Sequence, residues 1–165
     1  MQLDWEKMFR RYVYDEERTP YFTPVNRLNT RQARYEIFPY ALFMIILFSI
    51  TGLAALSGKL PHGTLSGVPI YAFFTVWAAL VFVWTRNQMA AAFCALAPVA
   101  MAIYFVLFGF PKQLGSFEKT LIGIFLVAWL YYSWRIVRIA AHYPEMPEAT
   151  TPPRPMRRNP YDSLK

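Results

Sequence analysis

The sequence predicts an all-α membrane protein: a bundle of four transmembrane helices with a cytoplasmic N-terminal amphipathic segment and a proline-rich C-terminal arm. Three observations predict it. Four stretches, at 37–56, 68–85, 89–110 and 120–134, contain no Asp, Glu, Lys, Arg or His. Charged residues make up only 16% of the 165-residue chain, against 56% hydrophobic and 18% aromatic, whereas soluble domains carry about 25% charged residues. The basic residues are also unevenly placed. Fourteen of the seventeen Lys and Arg fall on one side of a four-span topology.

The leader, residues 1–36, precedes the first apolar stretch. Its charges are mixed in sign and its apolar residues are not yet continuous, so it reads as a retained arm and not as a secretory signal. Trp5, Met8, Phe9 and Tyr12 recur at helical spacing, with Lys7, Arg10 and Arg11 on the remaining surface. This is the pattern of an amphipathic helix that lies on a membrane surface or docks in a partner's groove. Residues 19–34 then mix prolines, aromatics and arginines with little periodicity. They are expected to order against a partner.

The transmembrane domain spans 37–141, with helices at about 37–56, 68–85, 89–110 and 120–141. Each stretch reaches or approaches the ~20 apolar residues that cross a ~30 Å hydrocarbon core as a helix. Open strands would leave backbone groups unpaired in lipid. The separator 57–67 holds three glycines and a proline, both helix breakers. Residues 86–88 form a short polar connector, so the second and third helices are predicted to run antiparallel. Ser116 is the expected N-cap of the fourth helix, with Glu118 in its first turn. Tyr35, Phe38, Tyr40, Trp84, Tyr131, Tyr132 and Trp134 sit where interfacial aromatic anchors belong. The third helix is rich in alanine, and Ala91, Ala95, Pro98 and Ala102 fall on one face suited to close packing. Pro98 removes a backbone hydrogen bond and is expected to give a static kink filled by a neighbour.

The positive-inside rule turns the charge asymmetry into an orientation, with both termini in the cytoplasm. Residues 142–165 then form a cytoplasmic tail rich in Pro and Arg, carrying six of the thirteen prolines, a density that suits an extended arm. The net charge of +7 follows from this topology and from attraction to anionic lipids. Nucleic acid is not needed to explain it.

The apolar stretches hold no ionisable residue, which argues against an autonomous ion-coupled transporter. The single cysteine, Cys94, is expected to be a buried packing residue. His62 and His142 fall on opposite faces of the bilayer and cannot share a metal. Each is a candidate only for a lone axial ligand to haem or pigment. Glu36 and His142 share one face, a proximity read as chance. No metal cluster, phosphate loop or nucleophile motif is present in the sequence, so neither enzymatic activity nor a cofactor is expected.

The expected function is that of a non-catalytic accessory or assembly subunit of a larger inner-membrane complex, of respiratory or photosynthetic type. Alternatives are a small transporter or channel component, and a membrane redox or pigment-binding protein. Partners would be other membrane subunits and anionic lipids. They would be recognised through Trp5, Phe9, Arg10, Arg11, Tyr12, Arg31 and Arg34 in the leader and Arg154, Arg157 and Arg158 in the tail. The expected location is a bacterial inner membrane or its equivalent. Topology reporters test the orientation: an enzyme active only outside the cytoplasm is expected to be silent when fused at residue 165 and active when inserted within 57–67. The reverse pattern would overturn it.

Overall fold

The computed structural model describes residues 21, 23–58, 67–111 and 114–148. The chain is all-helical over these residues. α1 spans Thr30–Leu56, α2 Gly67–Thr85, α3 Gln88–Phe108 and α4 Ser116–His142, with 3-10 turns at Val25–Arg27 and Tyr143–Glu145. Each of the four long helices is long and apolar enough to cross a membrane, as a multi-pass protein requires.

The helices extend beyond the charge-free stretches. α1 starts at Thr30 and not at 37. Asn29 Oδ1 accepts from the Gln32 N–H at 2.8 Å, and Gln32 Oε1 accepts from the Asn29 N–H at 3.1 Å. This reciprocal cap satisfies two backbone donors that a helix start leaves open. Pro39 therefore sits inside α1 and not near its start. At α4 the expected cap is displaced by one residue. Ser116 is the first helical residue, and the Glu118 carboxylate accepts from the Gly115 N–H at 2.7 Å. α3 stops at Phe108 because Gly109 takes a positive φ of 73°, a left-handed conformation that glycine adopts without Cβ strain. The α2–α3 connection is only Arg86 and Asn87. The Asn87 side chain caps α3 by accepting from the Met89 N–H at 2.7 Å.

Each helix buries one stripe. Ile37, Tyr40, Ala41, Met44 and Phe48 face inward from α1, and Ala72, Thr75, Ala79 and Phe82 from α2. From α4 come Trp129, Ser133, Ile136, Ile139 and Ala140. The three- and four-residue spacings are those of interdigitating helix seams. In α3 the buried line is Ala91, Cys94, Ala97 and Pro98. It shares Ala91 and Pro98 with the expected small face, but Ala95 and Ala102 are only half-buried. α3 packs on both α2 and α4, so its inward direction is set by two neighbours and not by side-chain size alone. Cys94 is buried in this core. Tyr40 departs from its expected anchoring role: it is 3% exposed, and its hydroxyl lies 2.9 Å from Ser133 Oγ, linking α1 to α4.

α1 packs most extensively against α2. Gly52 is the reason at their crossing, since a Cβ there would stand 3.2 Å from the Ala72 Cβ. α1 meets α4 through rings: Phe43 packs edge-on to Trp129 at 5.5 Å, and Tyr40 lies 5.9 Å from Tyr132. The core is concentrated toward the end of the bundle where α1 begins and α4 ends. No residue of α4 before Trp129 is buried, and none of α3 after Pro98.

Overpacking at the crossing is the sensitive spot. Gly52→Leu is expected to destabilise the bundle by about 1–3 kcal/mol, read as a lower melting temperature in detergent. Gly123→Ala, where an added Cβ meets nothing within 4 Å, is expected not to lower it.

Candidate functional site at the joined termini

The chain's polar groups gather where α1 begins and α4 ends. Glu36 sits in the second turn of α1, on the face that turns inward one turn before Tyr40. Its side chain is 0% exposed. A carboxylate in that position needs a charged or hydrogen-bonding partner, because desolvating it alone is too costly. Arg135 supplies one from the last third of α4. Its Nε donates to Glu36 Oε2 at 2.8 Å and its Nη2 to Oε1 at 2.7 Å. This is the bidentate fork that makes arginine–carboxylate pairs strong and directional. Nη2 also donates to the Thr23 carbonyl at 2.8 Å. One guanidinium therefore ties together α4, α1 and the segment that leads into α1.

Two further ties close the same end. The N–H of Thr30, an open donor at the start of α1, donates to the Pro147 carbonyl at 3.1 Å. The Tyr143 hydroxyl accepts from Arg34 Nε at 3.1 Å, and the Arg86 guanidinium stands 5.2 Å over the Tyr143 ring. Such a contact contributes about 0.5–1 kcal/mol where it is exposed. Arg86 holds a positive φ of 53°, a conformation unusual for a residue with a Cβ. The two-residue turn imposes it, and the side chain so placed reaches the tail. Val25, Leu28 and Met146 fill the space beneath these contacts, at 7%, 1% and 9% exposure.

The result is a cap that joins residues 23–36, the α2–α3 turn and residues 135–147. It fixes the points from which both arms leave, side by side, at one end of the bundle. Of residues 19–34, expected to order against a partner, the part from 23 to 34 makes these contacts with its own chain.

Of the leader and tail residues singled out from sequence, Arg31 is exposed in the first turn of α1 and Arg34 is engaged by Tyr143. Trp5, Phe9, Arg10, Arg11, Tyr12, Arg154, Arg157, Arg158 and His62 lie outside the described residues. His142 is exposed, and its Nδ1 lies 2.9 Å from the Arg138 carbonyl, one helical turn back. Glu36 does not face His142; it belongs to Arg135. Sequence reading missed Arg135, Tyr143 and Arg86. A signal for the first was available: Glu36 and Arg135 are opposite charges at the same expected membrane boundary, on the first and last helices.

Elsewhere the bundle holds a cavity of about 530 Å³ among α1, α2 and α3, toward the end away from the termini. Its wall includes Phe48, Tyr71, Met101, Tyr104 and Phe105, so it is mostly apolar. Among the described residues no group of three or more His, Cys, Asp or Glu side chains converges.

The ion pair governs the cap. Glu36→Ala leaves Arg135 without its carboxylate and is expected to destabilise the protein by about 3 kcal/mol, whereas Glu36→Met with Arg135→Met is expected to recover most of that loss. Thermal melting in detergent compares the single and double variants.

No protein-family model, curated protein or solved structure matches the chain.

Proposed function

We propose that this chain is a non-catalytic accessory or assembly subunit of a larger membrane complex, of respiratory or photosynthetic type, in a bacterial inner membrane or its equivalent. Both arms lie in the cytoplasm under this reading. The joined cap is the observation that carries it. Glu36, Arg135, Arg34, Tyr143 and Arg86 all engage one another or nearby backbone. Under this reading they fix the starting points of both arms at one membrane face. Such a cap suits a scaffold that grips a partner through both arms.

The outward surface supports the same reading. Val106, Phe117, Ile124 and Val127 are 84%, 76%, 62% and 67% exposed, on halves of α3 and α4 that bury nothing. These faces meet either lipid or the helices of other subunits.

The test is to tag the chain at its native abundance, extract it in mild detergent and separate it by native electrophoresis. It is expected to co-migrate with a complex several times its own mass, and removing residues 1–20 or 149–165 is expected to weaken that association while leaving the chain in the membrane. A free monomer at native abundance would overturn the proposal.

A further inference from the structure

A second cavity, of about 190 Å³, opens at the joined end, outside the ion pair. Pro24, Val25 and Asn26 line one side, and Tyr131, Trp134, Arg135 and Arg138 of α4 line the other. The α4 residues follow helical spacing, so they form one face that climbs about 10 Å along the axis, enough to cross the headgroup layer of one leaflet, about 5–7 Å deep, and reach the upper acyl chains. The face is graded. Tyr131 and Trp134, nearer the middle of the membrane, are 75% and 66% exposed. Arg135 and Arg138 stand at the outer end. Amphipathic rings below cations match the order of acyl ester and phosphate in a phospholipid.

The charge of this face is not balanced from within. Glu36 answers Arg135. Among the described residues no carboxylate pairs with Arg138, whose side chain is exposed. The cavity has room for about six water volumes, which suits a phosphate with its ester carbons.

We infer that the Arg138–Trp134 face and the Val25–Arg27 turn form a binding site for the phosphate headgroup of one anionic phospholipid. Arg138 provides the charge, Asn26 stands opposite as a neutral hydrogen-bonding side chain, and Trp134 and Tyr131 flank the upper acyl chains. The bound lipid would cover the outer side of the Arg135 pair, between α4 and the segment entering α1. The site lies in the transmembrane domain itself, apart from the arms, and does not depend on a partner complex.

Native mass spectrometry of the purified, delipidated full chain tests this. The protein is titrated with phosphatidylglycerol, with phosphatidylcholine, and with phosphatidylglycerol in competition with inorganic phosphate. One phosphatidylglycerol is expected to be retained in preference to phosphatidylcholine. Arg138→Gln is expected to weaken that retention about fivefold, the loss expected for one cation near a lipid surface. Arg138→Lys should retain most of it. Trp134→Leu should weaken it without changing charge. Lys119→Gln, which removes a cation near the start of α4 at the opposite end of the bundle, is expected to leave it unchanged. Equal retention of phosphatidylcholine would overturn the site, and so would equal losses in Lys119→Gln and Arg138→Gln, which would mark diffuse attraction. Displacement of the lipid by inorganic phosphate at similar concentration would also overturn it, because the occupant would then be a soluble anion.

Discussion

A carboxylate buried at the edge of a membrane bundle constrains everything around it. Glu36 cannot be left there without a partner, and Arg135 answers it from a helix ninety-nine positions along the chain. Chain order alone makes neighbours of α1 and α2, of α2 and α3, and of α3 and α4. It does not bring α4 back to α1. The Glu36–Arg135 fork does that, and it sets the axial register of the two helices. The Tyr40–Ser133 contact lies one turn deeper in that register, followed by Phe43 against Trp129. The third bond of the guanidinium, to Thr23, fastens the entering chain to the same point.

The interfaces on the two sides of α1 use different means. Toward α2 the contact is close and built from small residues, Gly52 against Ala72. Toward α4 it is wider and built from rings and polar side chains. Both fit a solvent of hydrocarbon, where apolar groups gain little by leaving lipid and association rests on dispersion and internal hydrogen bonds. The core gathers near the ion pair, and the far halves of α3 and α4 turn their side chains outward. A bundle fastened at one end and open-faced at the other suits a subunit whose outer surface is completed by lipid or by other chains.

The cap also changes how the arms are understood. The stretch from 19 to 34 holds prolines, aromatics and arginines, a composition that by itself calls for an external partner. Much of it is used internally. Leu28 is almost fully buried, the Asn29 cap starts α1, and Arg34 meets Tyr143. The tail docks as far as Pro147, whose carbonyl receives the Thr30 N–H. Within the described part of the two arms, Arg31 is the proposed recognition residue that stays exposed, whereas Arg34 is engaged by Tyr143.

The sequence by itself determined the class: four apolar stretches without charge, broken by glycine, proline and short polar turns, form helices because lipid leaves the backbone no other partner. It also held local features that a search for uncharged runs overlooks. Asn29 and Gln32 stand three apart before an apolar run, a helix start written seven residues ahead of the first uncharged position. Tertiary structure alone decided the rest. Which face of α3 turns inward depends on neighbours on both sides. Tyr40 is a core hydrogen-bonding residue and not an interfacial anchor because Ser133 faces it across the bundle. Arg135, Arg34 and Arg86 look alike as basic boundary residues, yet each has a different partner: a buried carboxylate, a phenol hydroxyl and an aromatic face. Charge and hydropathy are properties of single positions and can be read along the chain. Pairing is a property of distance, and distance between residues 36 and 135 exists only once the helices have packed.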